Sequence, residues 1–131
     1  MQALNLWAVL VAAVASFALG GPWYSNALFG GAWKREAHDT RPPGDAHPAK
    51  VFGLSFLFSL IAATAFACWL GPNPSLGFAL GHGLLAGACF VAASFGINYQ
   101  FANRSFLMWL IDGGYHTAQF LLFGLVLGLW H

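Results

Sequence analysis

Three ionisable side chains interrupt apolar stretches of this sequence: His82, Asp112 and His116. A charged group at the centre of a bilayer costs at least ~2.5 kcal/mol, so such residues turn inward and find partners. Asp112 and His116 are four apart, which puts them on one face of a helix and within hydrogen-bonding reach. Histidine titrates near neutrality and a neighbouring carboxylate tunes it, so a proton or ion pathway is one chemistry this set can perform. Two histidines and an aspartate also match the ligand types of a metal site, although the sequence shows no second shell for one. The structural alternative is that Asp112 and His116 satisfy each other together with Tyr115, Thr117 or Gln119, while His82 bonds a nearby carbonyl. A pocket for an apolar cofactor or lipid is the remaining option, and no particular cofactor is indicated.

Depth decides whether the three meet. At 1.5 Å per residue, His116 lies roughly 15 Å above the start of its apolar run, and His82 about 20 Å up a 30 Å core. They are expected to come within reach if their helices touch. Asn98, Gln100 and Asn103 would extend a polar path towards Asp112, with Tyr24, Asn98 and Tyr115 as the polar surroundings of the site. Gly113 and Gly114 stand between Asp112 and His116. Two glycines inside a helix cost about 1 kcal/mol each against alanine. They permit either close packing or a break whose freed carbonyls line a cavity.

The elements that must position these residues are membrane helices. Of 131 residues, 59% are hydrophobic and only 7% charged, where a soluble domain carries about 25% charge. A spanning helix needs about 20 apolar residues. Four runs fit, at residues 4–21, 51–70, 76–97 and 106–130. The fold expected is all-α, an integral membrane four-helix bundle with antiparallel up-down spans, forming a single domain over 1–131. The net charge of +1 argues against a nucleic-acid partner, which would need a basic stripe or patch. Met1 to Asn5 holds no Lys or Arg, so the first run reads as a retained span and not as a signal peptide. Gly71-Pro72-Asn73-Pro74-Ser75 is a tight turn, which makes the second and third spans expected neighbours.

Lys34, Arg35, Arg41 and Lys50 fall between spans one and two, and Arg104 between spans three and four. By the positive-inside rule both loops are cytoplasmic and both termini outside, as expected for a bacterial inner membrane. Trp7, Trp69 and Trp130 would mark the outer interface, and Trp23, Tyr24, Trp33 and Tyr99 the inner one. Residues 22–33 are too apolar for a free loop and are expected to lie in or dip into the cytoplasmic interface, with Pro22 kinking or ending the first span. Residues 34–49 read as a solvated loop, where His38, Asp39 and His47 are ordinary polar residues.

Small residues mark the faces where backbones approach. Gly77 and Gly81, Gly83 and Gly87, Gly124 and Gly128, and Ser16 and Gly20 are each four apart, and the density of small residues in the third span suggests that it is central. Cys68 and Cys89 would lie at different depths, which argues against a disulfide. Two or more copies would shield the polar third and fourth spans better than one, so a homo-oligomer is expected.

Gly20-Gly21-Pro22-Trp23-Tyr24-Ser25, Leu28-Phe29-Gly30-Gly31-Ala32-Trp33 and Ile111-Asp112-Gly113-Gly114-Tyr115-His116 together resemble family 1761 of the domains of unknown function. These are small bacterial and fungal proteins with about four spans, and the resemblance covers nearly the whole chain. The family's pattern has a proline after Tyr-Ser and a lysine before Ala-Trp, where this chain has Asn26 and Gly31, so it lacks that interfacial charge. The resemblance implies the architecture and no activity. It also implies that the aromatic segment and residues 112–116 belong to a shared pattern.

Three functions follow from the sequence. The first is a transport-type protein with a proton or ion site at His82, Asp112 and His116. The second is an accessory or structural subunit of a larger membrane complex, with no site of its own. The third, a membrane enzyme, has the least behind it, with no serine nucleophile elbow, no H-x-x-x-H and no phosphate loop.

Overall fold

The structure, a computed structural model, describes residues 3–37 and 47–131. His38, Asp39 and the Arg41–Asp45 stretch lie outside them. The described residues form helices and no strands. Helix α1 is Leu6–Trp23, α2 is Gly30–Ala37 and α3 is Pro48–Leu70. The third apolar run divides into α4 (Leu76–Leu84), a π-helical segment (Leu85–Ala92) and α5 (Ala93–Phe101); α6 is Phe106–Leu129. Four stretches are long and apolar enough to cross a membrane: Leu6–Trp23, Pro48–Leu70, Leu76–Phe101 and Phe106–Leu129.

Polar side chains start these helices by accepting the first orphan N–H groups. Asn5 accepts from Ala8, Ser75 from Phe78 and Ser105 from Met108. His47 does the same for α3, with Pro48 following it at a position where a missing N–H costs nothing. Gly71 ends α3 at φ 76° and ψ 179°, a region essentially closed to side-chain-bearing residues. Pro22 falls in the last turn of α1, which stops one residue later. Lys34–Ala37, expected in a loop, are the second half of α2.

Helix α6, not the third span, is the centre of the molecule: it packs against α1, α2, α3 and every part of the third span. Glycines make the closest of these contacts. A Cβ on Gly83 or Gly87 would lie 2.5 Å from the Phe120 carbonyl oxygen or 2.6 Å from the Thr117 Cα. On the facing helix, a Cβ on Gly124 would lie 2.5 Å from the Ala79 oxygen, and one on Gly128 2.9 Å from the Leu76 Cα. Two of the expected glycine pairs thus interlock, while Gly77 and Gly81 face open space. All of the third span's close backbone approaches are spent on α6, which leaves it at the side of the molecule.

The second and third spans are not the close neighbours that their short turn suggested. They make few close backbone contacts. They meet through side chains, with Trp69 of α3 5.0 Å from the His82 ring and 6.1 Å from the Phe90 ring. An indole holds backbones apart where a glycine would not, and the third span's backbone packs on α6 instead. Helix α1 joins α3 to α6 along its buried Ala12, Ala13 and Ser16 face.

Candidate functional site

Asp112 is 7% exposed, and uncharged donors hold its carboxylate. The Tyr24 hydroxyl donates to Oδ1 at 2.5 Å. The Tyr99 hydroxyl donates to Oδ2. The Trp33 indole N–H is shared between the two oxygens at 3.1 and 3.2 Å. The backbone beside it is held as well, since Trp23 Nε1 donates to the Ile111 carbonyl at 3.0 Å. At the far end of α2, Arg104 donates to the Ala37 carbonyl, one of the orphan acceptors at that helix terminus.

Together these bonds fasten residues 23–37 onto α6 as a strap. The chain reverses between α1 and α2 so tightly that a Cβ on Gly30 would stand 2.2 Å from the Tyr24 carbonyl oxygen. Gly114 leaves room for the Trp23 ring, 3.2 Å from where its Cβ would be, and Gly113 for Ala92 at the same distance. The paired glycines therefore serve close packing, and α6 runs unbroken through them. The Tyr24 phenol, just past the end of α1, is pushed above the usual tyrosine range by burial and then by the adjacent Asp112, so it stays a donor.

Tyr99 and Trp33 were not among the expected site residues, whereas Asn98 was. Asn98 is exposed, and the π-helical segment explains why. On an unbroken α-helix, Asn98 would follow Gly87 by eleven residues and lie within about 20° of the same face. In a π-helix each residue turns by less, so the faces beyond Ala92 are rotated relative to those before Leu85. The side turned to α6 becomes Ala92, Gly96 and Tyr99. Trp109 Nε1 donates to the Ala92 carbonyl at 2.7 Å, closing the end of the π segment against α6.

The three expected residues are not gathered in one place. Among the described residues, no group of three His, Cys, Asp or Glu side chains could hold a metal ion. His82 directly precedes Gly83, so its side chain swings off the α6 face. Its Nδ1 bonds the Phe78 carbonyl at 2.9 Å and its ring lies against Phe78 and Trp69. His116 pairs with Gln119, not with Asp112. Nδ1 lies 2.8 Å from Gln119 Oε1, and the imidazole stacks on Phe95 at 5.0 Å.

His116 instead borders a cavity of about 820 Å³ between α1, α3 and α6. Phe17, Phe52, Phe58, Ala62, Val91 and Phe120 supply apolar wall, and Tyr24, Ser55, Ser59, Tyr115, His116 and Gln119 the polar positions. Behind the wall, Gln119 Nε2 reaches Ser16 Oγ at 3.5 Å, and Ser16 bonds Ser59 at 2.8 Å. The Tyr115 hydroxyl donates to the Ser16 carbonyl at 2.9 Å, with its ring over Gly20. Tyr24 belongs to both places: it lines the cavity and bonds Asp112.

No curated protein and no solved structure matches the chain. The family described as "Protein of unknown function (DUF1761)" matches it over residues 7–128. That match takes in the strap, Asp112 and the cavity, and the chain belongs to this family.

Proposed function

We propose that this is a transport-type membrane protein whose working site is the cavity between α1, α3 and α6, and that it takes an amphiphilic molecule from the surrounding lipid. The cavity itself carries the reading: about 820 Å³, largely apolar, with a few polar groups and, among the described residues, no Lys, Arg, Asp or Glu in its lining. Ligand sites have this volume and this balance of many apolar and few polar groups. Val51, Phe52 and Phe58 on its α3 side are exposed, so the cavity is reached sideways, from the bilayer. In this reading His116, Tyr115 and Tyr24 serve at the cavity, and Asp112 holds the strap that closes its end.

The topology we propose is antiparallel, with both termini outside and the strap cytoplasmic. The start of α1, the end of α3 and the end of α6 border one pocket, which supports placing them at the same membrane face. Lys34, Arg35 and Arg104 cluster with the strap, as the positive-inside rule requires of a cytoplasmic face.

The test is to purify the protein in native-lipid discs and compare co-purified small molecules with those of Ala62→Trp, which fills the cavity from α3. An amphiphile enriched with wild type and lost from the variant is the expected result. Equal lipid profiles would refute the reading. The satisfied, buried Asp112 clamp favours one second reading, an accessory subunit of a larger complex. That reading predicts a partner protein at fixed stoichiometry and no enriched amphiphile.

A further inference from the structure

The hydrogen-bond chain behind the cavity wall determines what His116 offers to a ligand. Ser16 Oγ lies 3.1 Å from the Ala13 carbonyl and 2.8 Å from Ser59 Oγ, and a proton given to either one leaves its oxygen to accept. Gln119 Nε2 approaches that oxygen, so the Gln119 amide carbonyl is the end turned to His116. A carbonyl accepts only, so His116 Nδ1 carries the proton, and in the neutral imidazole Nε2 is then a bare acceptor. Nε2 makes no bond within the described residues. It is not sealed in either, because every buried side-chain nitrogen and oxygen among them has a partner.

We propose that the cavity selects a neutral amphiphile whose head is a hydroxyl, received as a hydrogen bond by His116 Nε2. This rests on the cavity being a binding site, as proposed above. Among the described residues no Lys, Arg, Asp or Glu lines the cavity, and an ionised head would be desolvated there without a counter-charge from them. Tyr115 spends its hydroxyl proton on the Ser16 carbonyl, and Tyr24 spends its own on Asp112. The lining phenols therefore present oxygens and not protons. A head that only accepts, such as an ether, meets the Ser55 hydroxyl but leaves His116 Nε2 unpaired, whereas a hydroxyl head accepts from Ser55 and donates to His116. The aromatic and aliphatic wall takes the apolar body.

A long-chain alcohol bearing a photoreactive diazirine in its tail serves as the probe, with the protein in lipid nanodiscs. Competitors are the unlabelled alcohol, its methyl ether, the fatty acid of equal length and an alkylphenol with the same tail. Alcohol and alkylphenol should compete roughly five- to tenfold better than ether, the worth of one hydrogen bond. The stronger of these two then separates an aliphatic from a phenolic source. In His116→Phe, labelling should persist while alcohol and ether compete within about twofold of each other. Ether or acid competing as well as alcohol against wild type would overturn the hydroxyl assignment and leave the cavity reading standing. Absence of labelling at cavity residues would overturn both. Because His116→Phe could disturb the fold, the ¹⁵N shifts of His116 in wild type give an independent check. A protonated Nδ1 with a bare Nε2 is required, and the opposite tautomer refutes the proposal.

Discussion

Asp112→Ala removes the common acceptor of the Tyr24, Tyr99 and Trp33 donors, all of them half-buried. A donor left unsatisfied costs about 1–3 kcal/mol, and bonds to a charged acceptor lie at the upper end of what is lost. Because the three donors keep some exposure, each recovers part of its solvation, and the combined cost is about 3–5 kcal/mol. That is a large share of the ~5–15 kcal/mol that holds a domain together. The loss should be local first. The strap has the Trp23 and Arg104 bonds left to hold it, while the glycine-packed α4–α6 contact does not involve Asp112. Amide exchange across Gly30–Ala37 should therefore quicken before the spans loosen, and the melting temperature in nanodiscs should fall. Asp112→Asn keeps one acceptor oxygen and the side chain's shape, so a loss of about 1–2 kcal/mol is expected. Wild-type exchange rates across Gly30–Ala37 in Asp112→Ala would refute the clamp, because the strap would then be held by something else.

The glycine contacts give a paired test: Gly87→Val sets a side chain 2.6 Å from the Thr117 Cα, where only backbone movement can relieve it, whereas Gly81 faces open space. Gly87→Val should cost about 1–3 kcal/mol or more, while Gly81→Ala should be neutral or stabilise by up to ~1 kcal/mol; thermal unfolding in nanodiscs reads both. Trp109→Phe removes the donor to the Ala92 carbonyl at the end of the π segment. It should cost about 1–2 kcal/mol and speed exchange over Ala93–Phe101, and unchanged exchange there would mean the indole does not hold that end.

What could be read from the sequence was what composition and short-range rules control. The four apolar stretches follow from hydropathy, which also places the starts of the third and fourth at Leu76 and Phe106. A spacing of four is a property of a single helix, so Gly83, Gly87, Gly124 and Gly128 stand out as candidates. Which spaced pairs interlock is not legible, since Gly77 and Gly81 share the spacing and face open space. The Asp112 site was only half legible. A buried carboxylate demands donors, but which ones depends on the π segment turning Tyr99 inwards and Asn98 outwards. Nothing in Leu85–Ala92 announces a π-helix, since its small and apolar residues suit an α-helix equally well. Trp33 was missed for a related reason. It sits on a helix of only eight residues that begins with two glycines, too short to show a period. Depth alone does not place His82, because rotation about the helix counts as well: one residue's step from Gly83, which faces α6, is enough to turn it to Trp69.

Tyr24 is where the cavity and the clamp meet, and a last prediction turns on it. Its side chain lines the cavity while its hydroxyl donates to Asp112 at 2.5 Å. A molecule filling the cavity presses on a residue that helps hold the strap, so occupancy and strap position should be coupled. In Tyr24→Phe the ring stays, so the cavity keeps its shape, while Asp112 keeps its Tyr99 and Trp33 donors. Losing one bond to a charged acceptor should cost about 1.5–3 kcal/mol, less than Asp112→Ala. The informative readout is the effect of ligand on exchange across Gly30–Ala37. In wild type, saturating the cavity with the long-chain alcohol should change that exchange, whereas in Tyr24→Phe the same occupancy should leave it unmoved. If the strap responds equally in both proteins, coupling runs through the Tyr115 and Trp23 rings, which lie 6.3 Å apart, and not through the hydroxyl. If it responds in neither, the strap is a fixed closure and the cavity works independently of Asp112.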